Sequence, residues 1–196
     1  MPVPPETDTV DRHIPLPRPG RGAARARRAE ILRVDHAGEY AAVHIYRAQQ
    51  AVFRGRVGHE TIAADMEEMR EQEAVHLARF DTLLQTERVR PTVMTPVWRL
   101  AALALGTGTA LMGEKAAHAC TEAVESVIEQ HYADQISELT DHDPALAAEL
   151  TRFRDEELTH HDHAVEHGSR ETPGHRLLSA VIKAGCRVAI KVSEKV

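Results

Sequence analysis

The sequence predicts an all-α protein, a bundle of helices, on three observations. The chain of 196 residues contains 11 glycines and is only 4% aromatic, a composition that favours helices over sheets. Its apolar residues recur with a helical period over several long segments, whereas no segment shows the alternation of a strand. Two pairs of segments also repeat each other along the chain. The length suits a single domain with a sizeable core.

The first segment of the chain differs in composition from the rest. Residues 1–23 include six of the ten prolines. Such a segment does not support a regular helix, so we expect a disordered Pro-rich arm over residues 1–23. The remaining residues, 24–196, are expected to form one helical domain.

Two long helices follow the arm, and an apolar stretch comes after them. The first helix is predicted from Ala24 to Phe53 and the second from His59 to Thr86. The segment RVRPTVMTPVW then breaks the helical pattern with two prolines. The stretch LAALALGTGTALMG, residues 100–113, is the most apolar in the chain. It is shorter than the ~20 residues of a membrane-spanning helix, so we expect a buried helix or an interfacial patch.

The last third of the chain contains three more helices. One is predicted to run to Leu139 and to end at the turn TDHDP. Asp143 is placed to cap the next helix, with Pro144 at its first position, and this helix extends to His167. A final amphipathic helix is predicted over residues 175–194.

The charge of the chain excludes one broad class of function. The formal net charge is -6, whereas a nucleic-acid-binding domain presents a basic surface. Aromatic side chains that could stack on bases are also scarce. We therefore expect no nucleic-acid partner.

An internal repeat contains the residues that matter for chemistry. REQEAVH (70–76) matches RDEELTH (154–160), and EYAAVHIYRAQ (39–49) matches ESVIEQHYADQ (125–135). Each half of the chain therefore contains a Glu and then, in the next helix, a Glu-x-x-His motif. Two helices in each half, repeated, predict a four-helix bundle, and the remaining two helices are additional to it.

The repeated residues predict a dinuclear metal centre. A Glu and a His three positions apart lie about 60° apart on one face of a helix. Four carboxylates and two imidazoles in a bundle core would be costly without a balancing charge, which two divalent cations supply. Oxygen and imidazole donors without thiolate favour iron or manganese, and this ligand pattern is typical of ferritin-like bundles. The predicted ligands are Glu39, Glu73, His76, Glu125, Glu157 and His160.

The segment EELTHHDH (156–163) permits more than one helical pairing. Glu157 can pair with His160 or His161, and Glu156 can pair with His160. The repeat decides between them, because Gln72 stands at the position of Glu156 and a leucine at that of His161. A metal-free polar network in a membrane-surface or assembly protein is the non-enzymatic alternative.

Several stretches of the chain resemble a known family. RVDHAGEYAA, RVRPTVMTPVW, GTGTALMGEKAAHACT, FRDEELTHHD and AGCRVAI are similar to the demethoxyubiquinone hydroxylase family, the di-iron monooxygenases of ubiquinone biosynthesis. The resemblance covers about residues 29–196. It implies a ferritin-like four-helix bundle with two additional apolar or amphipathic helices. It also implies hydroxylation of the ring of a polyprenyl methoxy-benzoquinol, with two iron ions, dioxygen and a two-electron donor, either NADH or a reductase.

The resemblance also implies roles for individual residues. The same six residues would be the iron ligands, with Glu73 and Glu157 bridging the metals. His131, Tyr132 and Arg187 match residues of a proposed electron or proton relay. Lys191 replaces a tyrosine that the family often has one turn after that arginine.

A lipid-tailed substrate implies contact with a membrane. The resemblance predicts a peripheral protein on the cytoplasmic face of the inner membrane, or on the matrix side of the mitochondrial inner membrane in a eukaryote. It also implies self-association and a lipid-binding partner protein of ubiquinone biosynthesis. The apolar stretch 100–113 and the last helix are the predicted apolar channel, the latter through Leu177, Leu178, Val181 and Ile182.

Two further interpretations follow from the sequence. Asp35 and Asp155 are expected to orient the ligand histidines, and the other histidines to be surface or packing residues: His36, His44, His59, His118, His142, His163, His167 and His175. The alternative function is a ferritin-like or rubrerythrin-like protein that oxidises iron or reduces peroxide, since the ligand spacing is shared with that class.

Overall fold

The computed structural model describes residues 21–196, which form six α-helices and one short 3₁₀ helix but no strand. The α-helices are α1 (Arg21–Phe53), α2 (Glu60–Glu87), α3 (Thr95–Leu111), α4 (Glu114–Leu139), α5 (Pro144–Glu166) and α6 (His175–Ser193). The 3₁₀ helix, Ser169–Glu171, links α5 to α6. The all-α prediction is confirmed. The predicted arm lies outside the described residues, except that residues 21–23 already belong to α1.

Most helix ends lie within three residues of their predicted positions, and the start of α3 is the main difference. RVRPTVMTPVW breaks the helical pattern as expected between α2 and α3, and α3 begins at Thr95 within it, five residues before the apolar stretch 100–113. Pro96 is tolerated because the N–H groups of the first turn have no helical acceptor in any case. The predicted cap of α5 is confirmed, because the backbone N–H of Leu146 donates to Asp143 Oδ1 over 3.2 Å.

The joint between α3 and α4 depends on a glycine. Gly113 separates the two helices and has a φ of 113°. A side chain at this position would clash with its own backbone, so only glycine adopts this conformation readily. This residue lets the chain turn from α3 into α4 without a longer loop.

Two helical hairpins form the bundle. Helix α1 packs along α2, and α4 packs along α5, while α3 lies against α1 and α6 against α4. The arrangement is the ferritin-like four-helix bundle with two additional helices that the sequence predicts. No helix among residues 21–196 is both long and apolar enough to cross a lipid bilayer.

Two apolar clusters divide the bundle core along its length. One is centred on Phe80, Leu150 and Phe153, and the other on Tyr46, Phe53 and Met66. Burying side chains of this size is the main favourable term that holds the hairpins together. The clusters leave a layer between them where all four bundle helices contribute charged residues.

Candidate dinuclear metal centre

Six ionisable side chains meet in the layer between the two apolar clusters. They are Glu39, Glu73, His76, Glu125, Glu157 and His160, and none is more than 3% exposed. Helices α1 and α4 each supply one carboxylate, and α2 and α5 each supply a Glu-x-x-His pair. The structure thus brings together all six residues that the sequence singles out.

The donor atoms form two overlapping groups. Within each group, one donor atom of every residue lies within 4.8 Å of the others. The first group consists of Glu39, Glu73, His76 and Glu157, and the second of Glu73, Glu125, Glu157 and His160. Since Glu73 and Glu157 belong to both groups, they are the two carboxylates that could be shared between two metal ions.

The facing atoms are close together without being hydrogen-bonded. His76 Nδ1 lies 3.2 Å from Glu157 Oε1, and His160 Nδ1 lies 3.0 Å from Glu73 Oε1. None of these four buried atoms has a hydrogen-bond partner within residues 21–196. Buried polar atoms without partners are costly, and their convergence is an arrangement that could hold a metal ion. The donor set of oxygen and imidazole fits two iron or manganese ions.

Each of the two clustered histidines is held from behind by the opposite hairpin. His76 Nε2 lies 2.5 Å from Glu156 Oε2, and His160 Nε2 lies 2.6 Å from Gln72 Oε1. An acceptor at Nε2 keeps the proton on that nitrogen, and Nδ1 is left free to face the centre. Glu156 and Gln72 occupy equivalent places in the repeat, so the same support is built twice.

Two buried tyrosines hold the two terminal carboxylates. The Tyr46 hydroxyl donates to Glu125, and the Tyr132 hydroxyl donates to Glu39. Each bond therefore crosses from one hairpin to the other. Burial raises the pKa of both tyrosines well above the usual range, so both hydroxyls keep the proton that they donate.

The electrostatics of the centre favour added positive charge. Burial raises the pKa of Glu39 and of Glu125 well above the usual carboxylate range, and neighbouring carboxylates raise it further. Burial alone would lower the pKa of His160, but contact with Glu157 and Glu73 outweighs it and raises the pKa to about 11. The protein groups by themselves therefore hold extra protons, which bound cations displace.

The residues expected to orient the histidines are only partly where the sequence suggested. Asp35 is buried, but its Oδ1 accepts from Gln135 Nε2 over 2.8 Å and lies 3.6 Å from His131 Nε2. Asp155 is exposed and accepts from Arg154. Neither contacts a ligand histidine. Asp155 lies on the face of α5 that points away from the bundle. Its neighbour Glu156 is the residue that reaches His76 in the opposite hairpin.

The remaining predicted site residues lie at different distances from the centre. Tyr132 contacts a predicted ligand directly, and His131 is in the Asp35 network one layer further out. Arg187 and Lys191 are exposed on α6, and neither makes an ion pair within residues 21–196. His161 pairs with the adjacent Asp162 over 3.0 Å and does not join the cluster.

Sequence reasoning did not predict the contacts that three residues of the site make. These residues are Tyr46, Gln72 and Glu156. The signal was present in the repeat, which aligns Tyr46 with Tyr132 and Gln72 with Glu156. The pairings themselves join different hairpins, and spacing along one helix does not reveal them.

An apolar groove runs beside the centre. Its volume is about 600 Å³, and it lies between α1, α3, α4 and α6. Gly38 and Val124 line it, and they precede Glu39 and Glu125 directly in the chain. Cys186 also lines it, and the pKa of that thiol is raised to about 11 by burial and by the charge of Glu125. The groove therefore lies immediately next to the carboxylate cluster.

Comparison with known proteins gives a consistent result. Residues 26–193 match the family model described as Ubiquinone biosynthesis protein COQ7. The chain is 46% identical to the human NADPH-dependent 3-demethoxyubiquinone 3-hydroxylase, mitochondrial, over 88% of this chain and 79% of that one. It is 47% identical to the 3-demethoxyubiquinol 3-hydroxylase of Rhodospirillum rubrum, over 91% and 82% of the two chains. The 5-demethoxyubiquinone hydroxylase, mitochondrial, of Saccharomyces cerevisiae is 36% identical over 85% and 77%.

Proposed function

The chain belongs to the Ubiquinone biosynthesis protein COQ7 family, and on this basis we propose that it is a 3-demethoxyubiquinol hydroxylase. The reaction replaces a ring C–H of a polyprenyl methoxy-benzoquinol with C–OH, using dioxygen, two electrons and two protons, and the second oxygen atom leaves as water. The observation that carries the proposal is the buried carboxylate–imidazole cluster directly beside an apolar groove. An iron-storage or peroxide-reducing protein has no need of such a groove.

The proposed metal ligands are the six clustered residues, with Glu73 and Glu157 as bridges. Two iron ions held there would supply the electrons that activate dioxygen for insertion into the ring C–H bond. Tyr46 and Tyr132 hold the terminal carboxylates in place, and Gln72 and Glu156 fix the imidazole orientation. This support keeps the ligand geometry constant while charge changes at the centre.

The core keeps water away from the reacting groups. The His76 ring lies 4.3 Å from that of Phe153, measured between ring centres, and Phe153 is only 1% exposed. The apolar clusters on both sides close the bundle axis to solvent. A dry site prevents the release of reduced oxygen species before the ring is attacked.

The groove is the proposed binding site for the quinol ring and the first part of its tail. Its volume of about 600 Å³ lies within the range of small-molecule sites. The α1 wall is kept flat by small residues at Ala37, Gly38, Ala41 and Ala42. Trp98 donates to Ser193 over 3.0 Å and so connects α3 with α6 at one end of the groove. An apolar cleft with few polar groups suits an isoprenoid chain.

A membrane surface is the proposed source of this substrate. Leu100 on α3 is 71% exposed and Leu177 on α6 is 73% exposed, next to the helices that form the groove. Helix α6 also has the cations Arg176, Lys183 and Arg187 at helical spacing. An exposed apolar face with a basic flank is typical of a helix that lies on an anionic membrane. We propose that the membrane in question is the inner membrane, the location that the family resemblance implies.

The route of electrons and protons is part of the same proposal. The buried Tyr132 contacts Glu39, and the adjacent His131 lies 3.6 Å from Asp35, which precedes Glu39 by one helical turn; these contacts support a relay role for the two residues. Arg187 follows the groove-lining Cys186 and is the proposed contact for a polar ring substituent. The mammalian relatives are named as NADPH-dependent, so a nicotinamide donor is tested first and a separate reductase second. Self-association and a lipid-binding partner protein remain part of the proposal.

The activity is tested by a single turnover. The di-ferrous protein is mixed without oxygen with a short-tailed demethoxyquinol, and ¹⁸O₂ is then added. We expect a quinol that is heavier by one ¹⁸O atom, detected by mass spectrometry. Oxidation of the iron without any labelled ring product would refute the hydroxylase and favour the ferritin-like alternative.

The ligands are tested separately by metal analysis. About two irons per chain are expected for the intact protein. His160→Ala is expected to lose at least half of this iron. The matched control is His161→Ala, which removes the neighbouring histidine that contacts only Asp162. Equal iron content in the two variants would contradict the ligand assignment.

A further inference from the structure

A second cluster of potential metal ligands lies at the end of α5, apart from the dinuclear centre. His163 and His167 are four residues apart, and their rings stack with 4.0 Å between ring centres. Asp65 of α2 faces them, with its Oδ2 3.3 Å from His163 Nε2. One donor atom of each of the three residues lies within 4.8 Å of the other two. The sequence alone suggested surface or packing roles for both histidines.

The facing atoms of this cluster have no partners. Asp65 Oδ2 and His163 Nε2 are buried, and neither makes a hydrogen bond within residues 21–196. His118 of α4 packs against the two rings, 5.8 Å from that of His163 and 5.3 Å from that of His167. It is only 3% exposed, and its Nδ1 also lacks a partner. Two unsatisfied donor atoms, one on α2 and one on α5, therefore face each other, and His118 packs behind the imidazoles.

The protonation states suit metal binding. His167 Nδ1 donates to the backbone oxygen of His163 over 2.8 Å, so its Nε2 carries the free lone pair. The pKa of His118 is lowered to about 4 by burial and by the two neighbouring imidazoles. A neutral His118 adds no positive charge that would repel a cation bound beside it.

The internal repeat shows how the cluster of Asp65 and His163 differs from the equivalent position in the other half of the bundle. A shift of 84 residues, which aligns Glu73 with Glu157, also aligns Asp65 with Glu149 and His163 with Arg79. At that equivalent place, Arg79 donates to both oxygens of Glu149 over 2.5 and 2.9 Å. One half of the bundle thus balances its carboxylate with a permanent side-chain cation. The other half has a carboxylate and imidazoles at this position, and a bound cation would supply the corresponding positive charge.

We propose that Asp65, His163 and His167 bind one additional divalent transition-metal ion, with water as the fourth donor and His118 packed behind the two imidazoles. Two imidazoles and a carboxylate form a borderline donor set of the kind that binds Zn²⁺, Co²⁺ or Fe²⁺. Ligand atoms on a tetrahedral zinc lie about 3.3 to 3.4 Å apart, given bond lengths near 2.0 Å. The distance of 3.3 Å between Asp65 Oδ2 and His163 Nε2 matches this value.

The position of the site relative to the dinuclear centre gives it an open side. A cavity of about 90 Å³ is lined by Asp65 and His163 and, on its inner wall, by Gln72 and His160. The His163 side chain is 32% exposed. An ion can therefore enter from solvent at the outer end of this cavity. The inner end is formed by His160, a predicted ligand of the dinuclear centre, and by Gln72, which holds it from behind.

The test measures metal binding by the full chain, purified without a histidine tag and already loaded with iron. Co²⁺ is added, and bound metal is measured by equilibrium dialysis and by the visible absorption of four-coordinate Co²⁺. We expect one Co²⁺ per chain beyond the iron. His163→Gln is expected to weaken Co²⁺ binding at least tenfold without loss of iron. This readout does not involve hydroxylation, so it succeeds or fails independently of the proposed function.

Two further variants make the result decisive. His161→Gln removes an adjacent histidine outside the cluster and is expected to bind Co²⁺ as the wild type does. His163→Arg copies the pair that Arg79 forms with Glu149, so it is expected to fold, to keep its iron and to abolish Co²⁺ binding. The proposal is overturned if the wild type binds no Co²⁺ beyond the iron. It is also overturned if His163→Gln and His161→Gln bind Co²⁺ equally.

Discussion

The contact between α1 and α3 provides a sharp test of the packing, because two glycines on α3 differ in what surrounds them. Gly106 is buried against α1, and a methyl group built there would lie 3.0 Å from the Ala48 Cβ and would collide with the backbone oxygen of Ile45. A backbone oxygen cannot move aside as a flexible side chain does. A methyl group at Gly108, two residues along the same helix, meets nothing within 4 Å.

The expected changes in the free energy of unfolding have opposite signs for alanine at Gly106 and at Gly108. Gly106→Ala must push α3 away from α1, and overpacking of this kind costs about 1–3 kcal/mol. The gain in helix propensity from glycine to alanine, about 1 kcal/mol, offsets part of that cost. Gly108→Ala receives the same gain without the collision. We therefore expect Gly108→Ala to be more stable than Gly106→Ala by about 1–3 kcal/mol.

Urea unfolding followed by far-ultraviolet circular dichroism measures this difference. For a domain of this size each kcal/mol corresponds to about 2–4 °C in Tm, so thermal unfolding gives an independent check. The reasoning would be refuted if the two variants had the same stability, or if Gly106→Ala were the more stable one. Displacement of α3 should also reduce quinol hydroxylation, because Ala102 and Leu105 of this helix line the groove.

Three further predictions concern single contacts. Tyr46→Phe removes the hydrogen bond to the predicted ligand Glu125, so the iron affinity measured by chelator competition should fall about 10- to 100-fold. An unchanged affinity would contradict the positioning role of Tyr46. Glu122 accepts from Ser169, Arg170 and His175, and these contacts lower its pKa to about 2 despite burial. Glu122→Gln should therefore lower the free energy of unfolding by about 1–3 kcal/mol at pH 7, measured by urea unfolding. This difference in stability from the wild type should shrink as the pH falls from about 4.5 towards 2, because the wild-type carboxylate becomes protonated. A difference that stays constant with pH would refute this. Leu100→Ser with Leu177→Ser should reduce sedimentation with anionic lipid vesicles, whereas Val57→Ser, at a site that is 95% exposed in the turn between α1 and α2, should not.

The clustering of the six site residues could be predicted because the chain contains the pattern twice. Glu157 and His160 were ambiguous within EELTHHDH, but the first half of the chain removed the ambiguity. The supporting residues were harder to predict. Asp155 was expected to hold a histidine, whereas the structure gives this contact to Glu156. Both are acidic and adjacent, and only the rotation of α5 relative to α2 decides between them.

Local physics explains what the sequence determined by itself. Helical periodicity, the Asp143 cap and the order of Glu and Glu-x-x-His are properties of one segment at a time, so they specified the helices, the ferritin-like bundle and the six clustered residues. The crossed tyrosine bonds, the groove beside Glu39 and the cluster of Asp65 with His163 all join helices that are distant in the chain. Such contacts depend on how two hairpins rotate and approach each other, which is set by side-chain packing across the whole core. Only the tertiary structure decided them, because no spacing within one helix encodes which residue of another helix faces it.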